Sequence, residues 1–226
     1  MQTFQIPEEE ENVLLYDADF KEMLSAYQKV SYLYAAGIDF VRGRLEALNN
    51  EFRTKHSHNP IHHIESRIKT PQSISRKLTK DGIPISMTNA KKNLRDIAGV
   101  RVICCYVEDI FTIANLLTSQ DDISLIEEKN YIRTPKDNGY RSLHIVIDVP
   151  VYLSEAKVFI PVEVQIRTVA MDFWASLEHN LRYKAENEVP AFIVEELKSC
   201  ADIITETDTR MERIFHAMSL LRDRET

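Results

Sequence analysis

The chain has 226 residues, of which 44% are hydrophobic, enough to bury a full core in one domain, and it carries a formal net charge of -7. That acidity excludes a protein whose main work is to coat nucleic acid, because such binding needs many phosphate-neutralising cations, and it leaves RNA as a partner without support. No apolar run approaches the ~20 residues that span a bilayer. The acidic start MQTFQIPEEEE is unlike a signal peptide, so the expected location is cytoplasmic with no membrane partner.

Residues 19 to 55 place Phe20, Leu24, Tyr27, Tyr34, Ile38, Val41, Leu45, Leu48 and Phe52 at helical three-four spacing. This predicts one long amphipathic helix with Gly37 as a candidate bend. Asp17 and Asp19 at its start read as capping acids. HSHNPIHHIE then reads as a turn and an edge strand or loop. Its His56, His58, His62 and His63 have spacing that could suit zinc, but no cysteine or acid completes a tetrahedral set, so an exposed loop is expected. Thr70 followed by Pro71 is an N-cap with proline at the first helical position, predicting a short helix over 71–80 that ends near Gly82.

IAGVRVICCYV, from Ile97, is rich in β-branched residues and predicts a buried strand. The thiols Cys104, Cys105 and Cys200 form an odd set with an adjacent pair, unsuited to disulfide geometry, and read as reduced core residues. A helix over 109–119, a strand ISLIEEKNYI, a turn KDNGY and strands over 141–149 and 157–167 follow. In the last of these Val162, Val164 and Ile166 oppose Glu163, Gln165 and Arg167, so one face is core and the other polar. Helices over 169–185 and 190–223 close the chain. In the second, Ile193, Leu197, Cys200, Ile204, Met211, Ile214, Met218 and Leu221 form a seam for another helix, the N-terminal one or that of a second subunit.

Against the acidic whole, RIKTPQSISRKLTK carries Arg67, Lys69, Arg76, Lys77 and Lys80 and no acid. A solvated basic helix explains such a run, but it also supplies what a polyphosphate donor would need. Asp96, just before the predicted buried strand, is by default a cap. Beside Glu163 it would instead form a carboxylate pair able to hold Mg²⁺ and deprotonate a hydroxyl, the requirement of phosphoryl transfer. Arg101, between Val100 and Val102, must meet an anion or a carboxylate. KDNGYRSLH offers Lys136 for phosphate, Gly139 for a tight turn, Tyr140 for stacking and His144 for a hydrogen bond. A plain hairpin explains Asn138 and Gly139 equally well.

The ordered segments RIKTPQSISRKL, DIAGVRVI, YIRTPKDNGYRSLH and EVQIRTVAMDFWASLEHNLRYK resemble the synthetase domain of the RelA/SpoT enzymes in its single-domain form, the small alarmone synthetases, over about residues 60 to 185. The region around the histidines and the long helices are more similar to the RelP branch than to the RelQ branch. The resemblance implies an α+β fold, a mixed sheet of about five strands surrounded by helices and related to polymerase-β-like nucleotidyltransferases. It implies one domain over 1–226, with a helical extension (1–57), a catalytic core (58–185) and a C-terminal helix (186–226).

It also implies a reaction, the transfer of the β,γ-pyrophosphate of ATP to the 3′-hydroxyl of GDP or GTP with release of AMP. By matching positions, Arg67 and Arg101 would sandwich adenine, and Lys69, Ser73, Lys77 and Lys80 would hold the rest of ATP. Asp96 would bind Mg²⁺, and Glu163, beside the same metal, would activate the hydroxyl. Tyr140 would stack on guanine, with Lys129, Lys136, Asn138, His144, Gln165 and Arg167 around the acceptor. No His-Asp pair occurs, so the family's hydrolase chemistry is not expected. The seam suggests self-association into a homotetramer. A non-catalytic nucleotide- or RNA-binding regulator on the same fold, or an oligomeric scaffold, is the rival reading.

Overall fold

A computed structural model describes residues 18–184 and 190–222. Helix α1 (Ala18–Lys55) leads into β1 (Ile61–Ile68), α2 (Pro71–Lys80), α3 (Met87–Asn93), β2 (Ala98–Cys104) and α4 (Val107–Thr118). Then come β3 (Ser124–Asn130), β4 (Leu143–Tyr152), β5 (Lys157–Thr168), α5 (Val169–Lys184) and α6 (Ala191–Arg222). The five strands form one sheet in the order β1-β2-β5-β4-β3. Only β2 and β5 pair in parallel, so the sheet is mixed, with its central strand β5 parallel to β2 and antiparallel to β4.

The alternation along the strands sorts the two faces. Val100 and Val102 of β2, Val162, Val164 and Ile166 of β5 and Leu143, Ile145 and Ile147 of β4 are buried. Helices α1 and α4 pack on these strands, bringing Ile38, Val41, Leu45, Ile110, Ile113 and Leu117 into the same core. Helix α1 runs through Gly37 without a break. A Cβ there would lie 3.1 Å from Ile160 Cγ2, so the missing side chain lets α1 approach β5 closely.

Local signals account for several element ends. Thr70 caps α2, its hydroxyl accepting from Ser73 N at 3.2 Å with Pro71 next in line, and Gly82 leaves the helix at φ +68. Helix α3 has no counterpart in the sequence reading. Its seven residues are too short for a periodic pattern, but Ser86 caps it by accepting from Asn89 N at 3.1 Å. Asp19 stands in the first turn of α1, whereas Asp17 lies outside the described residues. His62 and His63 belong to strand β1 rather than to a loop.

Helix α6 turns part of the predicted seam inward, at Leu197 and Ile204. It packs on α5 and on the start of α4, with Leu197, Ala201 and Ile204 against Trp174, Ala175 and Tyr140, Asp208 accepting from Thr168 Oγ1 at 2.7 Å, and Phe215 stacked 4.5 Å from Tyr106. Cys200, Met211, Ile214, Met218 and Leu221 are exposed. Leu197 and Ile204 of the seam thus turn inward beside Ala201 and Asp208, which the seam did not include, and Cys200 is not a core thiol.

Candidate functional site

Registers across the uncovered face align polar residues from every strand. One row runs Arg67 (β1), Gly99 (β2), Glu163 (β5), Val146 (β4) and Glu127 (β3). The next runs Glu65, Arg101, Gln165, His144 and Lys129 in the same strand order. Period-two alternation therefore delivers one chemically active surface from residues a hundred positions apart.

Two cavities open on this surface. One, of about 200 Å³, is lined by Arg67, Gly99, Arg101 and Gln165 among others. The other, of about 170 Å³, is lined by Lys77, Asn93, Arg95, Glu127, Lys129 and His144 among others. Asp96 and Glu163 line both. The two carboxylates are thus the shared wall between a compartment rich in arginine and one bounded by lysines and a histidine.

Asp96 is brought into place by the β1–β2 pairing, which Lys69 N extends by donating to Ile97 O at 2.8 Å. Lys69 Nζ and Lys77 Nζ both donate to Asp96 Oδ2, at 2.6 and 2.9 Å. Burial raises the Asp96 pKa, but the two ammonium groups outweigh it and hold the carboxyl below its ordinary value. Oδ1 of the same carboxylate is buried without a hydrogen-bond partner. An ionised, desolvated oxygen with a free lone pair fits a hard divalent cation. Among the described residues no group of three or more His, Cys, Asp or Glu is placed to hold a metal. The donors here are two carboxylates, which suits Mg²⁺ shared with phosphate oxygens and water.

Glu163 is held from both sides. His144 Nδ1 stands 3.2 Å from Oε1, and Gln165 Nε2 donates to Oε2 at 2.8 Å. Burial pushes its pKa up, His144 and then Gln165 pull it down, Asp96 opposes them, and the result lies below the ordinary carboxylate value. With Nδ1–H given to the carboxylate, His144 Nε2 accepts from Tyr140 O–H at 2.8 Å.

The remaining predicted residues divide. Arg67 and Arg101 line the first cavity. Arg101 is not buried among its valines but lies on the open face, meeting Glu65 at 3.2 Å and Asp172 at 3.5 Å. Lys129 lines the second cavity and pairs with Glu127 at 2.9 Å. Lys136 sits over the Tyr131 and Tyr140 rings at 4.7 and 4.9 Å. Tyr140 is itself half-buried against Trp174, with ring centroids 6.4 Å apart. Asn138 donates to Glu178 at 3.0 Å. Arg167 is 3% exposed and donates to Gln165 Oε1 at 2.8 Å. Ser73 lies in the capped first turn of α2, and Lys80 is exposed in its last turn.

Sequence reasoning missed Asn93, Arg95, Glu65 and Asp172. Arg95 adjoins Asp96 and could have been found by that adjacency. Glu65 shares strand parity with Arg67. Asp172 looks like any acid in the first turn of a helix, and only the fold shows which arginines it faces.

Comparison with known proteins adds an independent line. The family described as "Region found in RelA / SpoT proteins" matches residues 66–188. The chain is 40% identical to the GTP pyrophosphokinase YwaC of Bacillus subtilis over 193 residues, which is 85% of this chain and 92% of the relative. It is 30% identical to the GTP pyrophosphokinase YjbM of the same organism, over 80% and 84% of the two chains. In structure it is similar to B. subtilis small alarmone synthetase 1 bound to its product pppGpp, with TM-score 0.81, 28% identity and coverage of 86% and 99%. The small alarmone synthetase 2 of B. subtilis matches with TM-score 0.77, 39% identity and coverage of 84% and 98%.

Proposed function

Because the chain belongs to the RelA/SpoT proteins, we propose that it is a GTP pyrophosphokinase that moves the β,γ-pyrophosphate of ATP to the 3′-hydroxyl of GDP or GTP, making (p)ppGpp and releasing AMP. The observation that carries this reading is the pair of cavities sharing Asp96 and Glu163 as a common wall. A transfer between two nucleotides needs two sites that meet where the group is handed over.

In this reading the arginine-rich cavity takes the donor. Arg67 and Arg101 flank adenine there, and its phosphates reach the shared wall, where Lys69 and Lys77 beside Asp96 neutralise them together with Lys80, with Ser73 alongside. The acceptor lies on the other side, its phosphates near Lys129 and Lys136 and its guanine near Tyr140, with Asn138, Gln165 and Arg167 supporting the pocket. Glu163, ionised at neutral pH, takes the proton of the 3′-hydroxyl. His144 steadies the Oε1 that receives it. Mg²⁺, held by Asp96 Oδ1 with Glu163 beside it, would neutralise charge on the transferred phosphates when bound.

We take residues 1–226 as one synthetase domain acting in the cytoplasm. We assign it a homotetrameric assembly, supported by the exposed stripe Val169, Phe173, Leu177 and Leu181, spaced by four along α5.

The test is direct. Purified protein with ATP, GDP and Mg²⁺ should yield AMP and a 3′-pyrophosphorylated guanine nucleotide. Glu163→Gln should fold normally and lose ~10²–10⁴-fold in turnover. A protein that binds both nucleotides yet shows no product, with Glu163→Gln indistinguishable from wild type, would instead be the non-catalytic regulator.

A further inference from the structure

Asp172 stands in the first turn of α5, outside both rows of sheet residues. Its Oδ1 lies 3.5 Å from Arg101 Nη1 and 3.4 Å from Arg167 Nη1. Neither contact is a well-formed hydrogen bond, since Asp172 Oδ1, Arg101 Nε and Arg167 Nε are all buried without a hydrogen-bond partner. One carboxylate thus serves two guanidinium groups and is fully committed to neither.

The two arginines have different duties. Arg101 lines the arginine-rich cavity and has a second acid partner in Glu65. Arg167 is almost fully buried and bonds Gln165 Oε1, which leaves the Gln165 amide nitrogen to donate to Glu163. The Gln165 amide is thus held at both ends, its oxygen by Arg167 and its nitrogen by Glu163, so the strength of the first bond bears on the second.

We propose that Asp172 is a positioning residue that couples the two nucleotide sites. A ligand that draws Arg101 into the arginine-rich cavity releases Asp172 to Arg167, which tightens the Arg167–Gln165–Glu163 chain on the other side of the wall. This rests on the donor and acceptor assignments made above. The coupling is a binding free energy and therefore reciprocal, each nucleotide strengthening the other by one common factor.

Calorimetric titration tests it without turnover. Binding of an ATP analogue with a methylene group between the α- and β-phosphates is measured with and without GDP, in the presence of Mg²⁺, and the reverse titration is then made. Wild type should show mutual tightening of about fivefold or more. Asp172→Asn should bring the factor close to one, and Asp172→Glu should restore part of it. If Asp172→Asn fails to fold, Arg167→Lys probes the same link, because lysine lacks the fork that turns Nη1 to Asp172 and Nη2 to Gln165.

A wild-type factor of one, or a factor unchanged in the Asp172→Asn or Arg167→Lys protein, overturns the proposal. So does a wild type that binds neither nucleotide. Mutual tightening that depends on Asp172, in a protein that makes no product, would sink the catalytic reading and leave this one standing.

Discussion

At the scale of single residues, Asp96 is held asymmetrically, with two lysines on one oxygen and none on the other. Its folded pKa is depressed, so between that value and the unfolded value of about 3.9 the unfolded chain binds more protons than the folded one. The stabilisation is complete above the unfolded value and is lost as pH falls through the folded one. Asp96→Asn should therefore be less stable than wild type in urea melts at pH 6, and the gap should narrow as the melts move to pH 3. A gap that stays constant would mean that the lysine contacts contribute nothing to folding. Glu163 was legible as a polar residue because it lies within a strand whose alternation is clear, whereas Asp96 reads alone as a cap and gained its place only through the resemblance. Arg101 was only half legible: its need for a carboxylate follows from charge, but its partners come from an edge strand and a distant helix that no local pattern links to it.

At the scale of elements, the loop between β3 and β4 is the place where sequence and structure differ most in meaning. KDNGY reads as a hairpin turn, and Gly139 does take φ +89. The loop also lies under α6, where a Cβ at Gly139 would come 2.6 Å from Ala201 Cβ and 3.2 Å from Lys198 Cα. Gly139→Ala should cost about 1–3 kcal/mol from backbone strain and overpacking together. Adding Ala201→Gly should recover only part, because it relieves the contact and not the dihedral. Full recovery in thermal melts would show that φ is unimportant there. The strands and long helices were recoverable because their periods repeat over many residues. Helix α3 was not, since it is two turns long, and the inward face of α6 was only half recoverable: Leu197 and Ile204 follow the apolar pattern, whereas the polar Asp208 does not.

At the scale of the whole molecule, one face of the sheet is sealed by α1 and α4 and the other is given to chemistry. The apolar stripe on α5 stands apart from both and is more than 45% exposed at each of its four residues. Phe173→Asp with Leu177→Asp should shift a tetramer to smaller species in light scattering while leaving the fold intact by circular dichroism. An unchanged mass would remove the stripe from the assembly.

Strand β5, which carries Glu163, is paired on both sides by β2 and β4, whereas α6 reaches the loop that holds Tyr140 from outside, along a helix with one long exposed flank. Strands in the middle of a sheet open only with the whole fold, and peripheral helices open sooner. On gentle warming the protein should thus become acceptor-blind before it becomes chemically incompetent. Deuterium should enter α6 and the loop well ahead of β5, so the temperature at which the enzyme stops choosing its guanine nucleotide should lie below the temperature at which it melts.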